Sequence, residues 1–153
     1  MRFLGVDPGF SRTGYGLIEK RGDKLLLISA GVIEIKASNF QQKLLQLAGR
    51  FEKLLKKARP DVVAIEKIYF KKNAKTAIEV AQARGVLLLM IIKNKKPVLE
   101  YSPSEIKRLV ALHGSADKKA VAKMVALILG QPKLPVIDDA TDALAIAISA
   151  AYH

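Results

Sequence analysis

Apolar positions alternate or cluster in short runs over the first third of the chain, and their period lengthens to between three and four residues after residue 38. Residues 2–7 and 14–19 read as two strands. The segment between them, Pro8-Gly9-Phe10-Ser11-Arg12-Thr13, carries the Pro and Gly of a hairpin loop. A third strand lies within 24–35, where Leu25-Leu26-Leu27-Ile28 and Val32-Ile33-Glu34-Ile35 flank Gly31. Three strands in succession predict an antiparallel meander.

Ser38 and Gln41 have the spacing of a capping box. From there Phe40, Leu44, Leu47, Phe51, Leu54 and Ala58 recur on one helical face up to Pro60. Val62–Glu66 reads as a short buried strand, followed by a basic loop from Lys67 to Asn73 and a helix over 74–93. Residues 98–101 form a fifth strand. Ser102-Pro103-Ser104-Glu105 is a second capping box with Pro at the first helical position. That helix stops near Gly114, Ser115 caps another that runs to Gly130, and a final helix starts at Asp138. The order βββαβαβααα predicts an α/β fold, a mixed five-stranded sheet flanked by helices. With no internal repeat or linker, residues 1–153 read as one domain.

Four acids interrupt this pattern. Asp7 ends Phe3-Leu4-Gly5-Val6 and Glu66 ends Val62-Val63-Ala64-Ile65, so both fall at the ends of apolar strands, where ligands tend to bind in such sheets. Asp139 and Asp142 lie three apart on one face of the last helix. The small residues beside them, Ala140, Ala143 and Ala147, let that helix approach the sheet and carry its acids toward Asp7 and Glu66. Such a cluster repels itself unless a cation joins it. Oxygen donors from separate elements suit a hard ion such as Mg2+, and two such ions about 4 Å apart serve phosphodiester hydrolysis. Each acid also has a plainer reading: a turn for Asp7, a lysine partner for Glu66, a cap for Asp138 or Asp139, the helix dipole for Asp142. Spacing alone does not choose between Asp138 and Asp139, since 138 and 142 also share a face.

Composition narrows the chemistry. Against 14 acidic residues stand 26 Lys and Arg, a formal charge of +12, which points to a polyanionic partner such as nucleic acid. No cysteine is present and the histidines are only His113 and His153, which excludes thiolate metal sites and disfavours imidazole ones. The longest apolar run, Val86 to Ile92, is too short to span a bilayer, so no membrane role and a cytoplasmic location are expected.

Gly5-Val6-Asp7-Pro8-Gly9 followed by Thr13-Gly14-Tyr15-Gly16 resembles the opening of the RuvC family, the bacterial Holliday-junction resolvases. Ala64-Ile65-Glu66, Gln82-Ala83-Arg84-Gly85, Gly114-Ser115-Ala116 with Lys118, and Asp142-Ala143-Leu144-Ala145 resemble its later motifs, in order and over nearly the whole chain. The resemblance implies a ribonuclease-H-like fold and a homodimer. It also implies Mg2+-dependent nicking of four-way DNA junctions in recombination and repair, with Mn2+ as a possible substitute and one or two ions per subunit. It further implies work beside a RuvA–RuvB branch-migration complex. The family's catalytic, metal-binding positions fall on Asp7, Glu66, Asp139 and Asp142. The third varies between Asp and His in the family. Asp139 is therefore expected as the ligand and Asp138 as the cap.

Lys107 and Lys118 match basic positions of the family near the scissile DNA. Lys118 stands in a helix's first turn, where a cation opposes the dipole and needs another reason. Tyr69 matches a family aromatic thought to engage bases at the junction centre. With Phe70 it lies among Lys67, Lys71, Lys72 and Lys75, where rings can stack on bases while lysines hold phosphates. Arg84 suits a phosphate or an acid such as Glu79 equally. The rival readings are another ribonuclease-H-like nuclease acting on RNA–DNA hybrids and a non-catalytic DNA-binding module. A third, an ATP-binding fold with a similar first loop, needs two such domains and usually far more residues.

Overall fold

The computed structural model describes residues 1–68, 74–132, 134 and 138–153, with the side chains of Ala74 and Lys75 excepted. Five strands, β1 (Arg2–Asp7), β2 (Arg12–Arg21), β3 (Lys24–Glu34), β4 (Val62–Glu66) and β5 (Val98–Tyr101), form one sheet in the order β3-β2-β1-β4-β5. The meander β1–β2–β3 is antiparallel, while β4 joins β1 and β5 joins β4 in parallel. This is the mixed sheet expected. β2 is longer than predicted at both ends, because its ladder with β3 continues from Arg12↔Glu34 to Arg21↔Lys24.

Helices cover both faces. On one face α1 (Phe40–Ala58) and α2 (Ala74–Lys93) pack over Leu4, Val6, Val63 and Ile65. On the other, α3 (Pro103–Ala111), α4 (Lys118–Ile128) and α5 (Asp138–Ala151) pack over Phe3, Ile18, Val62 and Ala64. Strand parity then fixes where the acids point: Asp7 follows Phe3 and Gly5, and Glu66 follows Val62 and Ala64, toward the α5 face.

Two caps differ from expectation by one or two residues. α1 starts from Asn39, whose side chain accepts from the Gln42 backbone N–H at 2.9 Å, while Ser38 Oγ turns to the Gln42 side chain. α4 is capped by Asp117, not Ser115, and ends at Ile128 rather than Gly130. In both cases nearby residues of nearly equal cap preference compete, and the one placed next to the first helical residue caps. Asp138 is the first helical residue of α5 rather than the cap before it. The Ser102–Glu105 capping box forms as expected, with Pro103 in its first turn. On α1, Leu55 takes the buried position assigned to Leu54, which is only half-buried.

Candidate active site

α5 is the most deeply buried helix, with every residue from Ala143 to Ala151 inside. It lies on a track of glycines. A Cβ on Gly5 would fall on the Ala143 carbonyl oxygen and crowd the Ala147 nitrogen; one on Gly14 would fall on the Asp139 carbonyl; one on Gly16 would strike Leu144. Gly5 pairs with Gly16 and Asp7 with Gly14 across the β1–β2 ladder. The absent side chains let the helix backbone press onto the sheet, and this sets Asp139 above the cross-strand partner of Asp7. On its other side β1 runs parallel to β4, and Glu66 follows Ile65, the partner of Val6. Asp7 and Glu66 thus emerge from neighbouring strand ends beneath the first turn of α5.

Between them and α3 and α4 opens a cavity of about 410 Å³ lined by Asp7, Glu66 and Asp142 with Lys107 and Lys118. Ile106, Val121 and Ile146 form its apolar wall. Burial pushes the Asp7 carboxyl up to about 7, and the charges of Glu66, Asp142 and Asp139 push in the same direction. The charge of Lys118 pulls the other way without overcoming them. A half-buried carboxylate crowded by three others is the electrostatic signature of a site that calls for a cation.

The two α5 acids are held by side chains from other elements. Lys118 Nζ donates to Asp142 Oδ2 at 2.9 Å, and Arg12 Nε lies 3.1 Å from Asp139 Oδ2. The hydrogen bond to Asp142, with that acid's charge, holds Lys118 above the usual lysine range. This is the reason for a cation in the first turn of α4. Asp138 lies on the far side of Lys118, in a second cavity of about 320 Å³ that shares Lys118 and Asp142 with the first. Among the described residues no three acidic or imidazole groups already clasp a common point. The all-oxygen donor set and the raised Asp7 nevertheless fit a hard divalent ion.

Lys107, on α3, is half-buried at the cavity and stands as expected beside the acids. Arg84 takes an acid, Glu100 rather than Glu79: its guanidinium pairs with Glu100 on β5, and its Nε donates to the Glu66 carbonyl at 2.9 Å. It braces the strand end that carries Glu66. Tyr69, Phe70, Lys71 and Lys72 lie outside the described residues, as does the side chain of Lys75. Arg12 was missed in the sequence, although its place just after the Asp7 loop was a usable signal.

Comparison with known proteins bears on the whole chain. The family model for crossover junction endodeoxyribonuclease RuvC matches residues 3–150. A crossover junction endodeoxyribonuclease RuvC of Chloroflexus aggregans is 44% identical over 99% of this chain and 93% of its own length. One from Caldicellulosiruptor saccharolyticus is 43% identical over 97% and 90%. The structure of Thermus thermophilus RuvC superposes with a TM-score of 0.90 at 32% identity, covering 99% of this chain and 94% of that one. The same protein in complex with Holliday junction substrate gives 0.91 at 32% identity, covering 99% and 93%. The fold is ribonuclease-H-like.

Proposed function

The chain belongs to the RuvC family of crossover junction endodeoxyribonucleases, and from that premise we propose how it acts: as a homodimer that resolves four-way DNA junctions by paired hydrolytic nicks, one in each subunit's acidic cavity. The observation that carries this reading is Asp7, half-buried at a strand end, raised to about 7 by desolvation and by three further acids, and facing a cavity with two lysines. A structural ion pair would not gather four acids; a phosphodiesterase site would.

In this reading Asp7, Glu66, Asp139 and Asp142 hold one or two Mg2+ ions per subunit, with Mn2+ as a substitute. The bound ion supplies Lewis acidity toward water and phosphate. The chain's own residues do the rest. The water oxygen bonds to phosphorus as the bond to one sugar oxygen breaks, and that oxygen takes up the proton that water gives up. Lys118, reaching over from α4, and Lys107, from α3, oppose the charge that builds on the phosphate oxygens. The Ile106, Val121 and Ile146 wall keeps bulk water off one side of the cavity. Arg84, occupied by Glu100 and the Glu66 carbonyl, supports the metal-binding end of β4.

The charge of +12 supports a long polyanion as substrate, and two-fold symmetry in a homodimer would match the symmetry of paired cuts. The basic aromatic segment, Tyr69 and Phe70 with Lys71, Lys72 and Lys75, is assigned to bases and phosphates at the junction centre. Residues 1–153 form one nuclease domain in this reading, working in the cytoplasm beside a RuvA–RuvB branch-migration complex. No helix among the described residues is long and apolar enough to cross a membrane.

A substrate panel tests the proposal. Four-way junction, linear duplex and RNA–DNA hybrid are incubated with Mg2+ or with chelator. Symmetric Mg2+-dependent nicks confined to the junction are expected. Cleavage of the hybrid alone would instead favour the hybrid nuclease, and binding without cleavage the non-catalytic module.

A further inference from the structure

Arg12 opens β2, and across the ladder its register partner is an acid, Glu34. The guanidinium nevertheless turns to Asp139, 127 residues away in sequence, while Glu34 pairs with Lys36 at 3.5 Å. Several contacts tie down the segment beneath Arg12. The loop from Pro8 to Ser11 is wound so tightly that a Cβ on Gly9 would fall on the Arg12 carbonyl oxygen. Thr13 Oγ1, fully buried, donates to the Gly9 carbonyl at 3.0 Å, and the Ile35 N–H donates to the Ser11 carbonyl at 2.9 Å. Phe10 stacks on Phe40 of α1 with ring centroids 5.3 Å apart, and Lys43 Nζ lies 4.6 Å from the Phe10 centroid.

The pair is half exposed, with side-chain exposures of 50% for Arg12 and 35% for Asp139, so it contributes little to stability. Its place suits another task. Asp139 lies in the first turn of α5 with its backbone directly over Gly14, and Arg12 reaches its carboxylate from the start of β2. The contact is made by Nε to one carboxylate oxygen, Oδ2. A carboxylate with one oxygen facing a cation keeps the other for a metal ion, and outer-shell partners orient metal ligands in general.

We infer that Arg12 is a positioning residue for the metal site, orienting Asp139 through the ion pair between them. The inference rests on the reading of Asp139 as a ligand. Arg12 also carries a positive charge close to that ligand, and a charge acting alone would oppose a divalent ion. Position and charge therefore predict opposite signs for the same substitution. Glutamine separates them, because its amide nitrogen hangs from Cδ as the arginine Nε does and donates without charge.

The test is Mn2+ binding to the whole protein without DNA, followed by electron paramagnetic resonance, for wild type and for Arg12→Ala, Arg12→Gln and Asp139→Asn. Thermal unfolding checks that each variant is folded. Arg12→Ala is expected to bind Mn2+ about tenfold more weakly at unchanged unfolding temperature. Arg12→Gln is expected to bind at least as tightly as wild type. If Arg12→Ala binds equally or more tightly while Asp139→Asn binds weakly, Arg12 is only a competing charge and the inference fails. If Asp139→Asn binds as wild type does, the assignment of Asp139 as a ligand is what fails.

Discussion

Lys118 and Asp142, 24 residues apart and on different helices, meet at 2.9 Å where the two cavities of the site adjoin. Lys118 is therefore the hinge of the site's charge: it neutralises an α5 acid and, in the proposed mechanism, faces the phosphate. Lys118→Met is expected to lower the cleavage rate about 100-fold, the cost of losing one preorganised donor to developing charge. The pair is solvent-exposed on the lysine side, so unfolding temperature should move by no more than about 0–1 kcal/mol of stability allows. Single-turnover cleavage of a four-way junction and a melting curve check both halves. Normal cleavage would remove Lys118 from the mechanism.

Gly14 and Asp139 bring the first turn of α5 against the sheet beside Asp7. Gly14→Ala places a methyl group against the Asp139 carbonyl and should cost about 1–3 kcal/mol while displacing the carboxylate proposed to bind metal. Gly49 offers the contrast, because it sits in α1 where an added Cβ would meet nothing within 4 Å. There Gly49→Ala should stabilise by roughly 0.5–1 kcal/mol and leave cleavage unchanged. Denaturant unfolding of the two variants, with junction cleavage measured alongside, tests the asymmetry.

The legible part of this chain was what local pattern controls. Val62–Ile65 reads as a buried strand because every residue is apolar and both faces are covered. Ser102-Pro103-Ser104-Glu105 states a helix start in four residues, and the alanines of α5 announce a close approach. The glycines that complete that approach, Gly5, Gly14 and Gly16, are equally plain in the sequence, but their meaning depends on which helix lies over them. Caps slipped where neighbours compete, as Ser38 with Asn39 and Ser115 with Asp117. Partner choice was beyond reach: nothing local says that Arg84 takes Glu100 rather than Glu79, or that Arg12 passes over its cross-strand Glu34 for Asp139. Such choices follow from where the sheet sets each strand end.

Leu112 closes α3 in the left-handed conformation, with φ of 65°, and is 82% exposed. A side chain there bears the steric cost of that conformation and has little burial to offset it. Leu112→Gly is expected to raise stability by about 1 kcal/mol, with junction cleavage unaffected. A fall in urea midpoint would instead mean that Leu112 contributes a contact the folded protein needs.

Asp7 makes stability depend on pH and on metal in a defined direction. Its folded-state value is raised from 3.8 to about 7, so between those two values the folded state holds a proton that the unfolded chain has released. Stability from this group is therefore fully present below about 3.8 and is lost as pH rises toward 7. Asp7→Asn removes the dependence. Without metal, the variant should melt above wild type at pH 8, and the difference should close as pH falls to 4. Adding Mg2+ at pH 8 should raise the melting temperature of wild type and narrow the gap, because binding to the folded state stabilises it. The same variant should lose cleavage while binding the junction as tightly as wild type or more tightly, since one negative charge beside the phosphate is gone. Melting curves from pH 4 to 8, with and without Mg2+, and junction binding and cleavage assays test this. A gap independent of pH would show that Asp7 is ionised throughout, and cleavage by Asp7→Asn would take it out of the metal site.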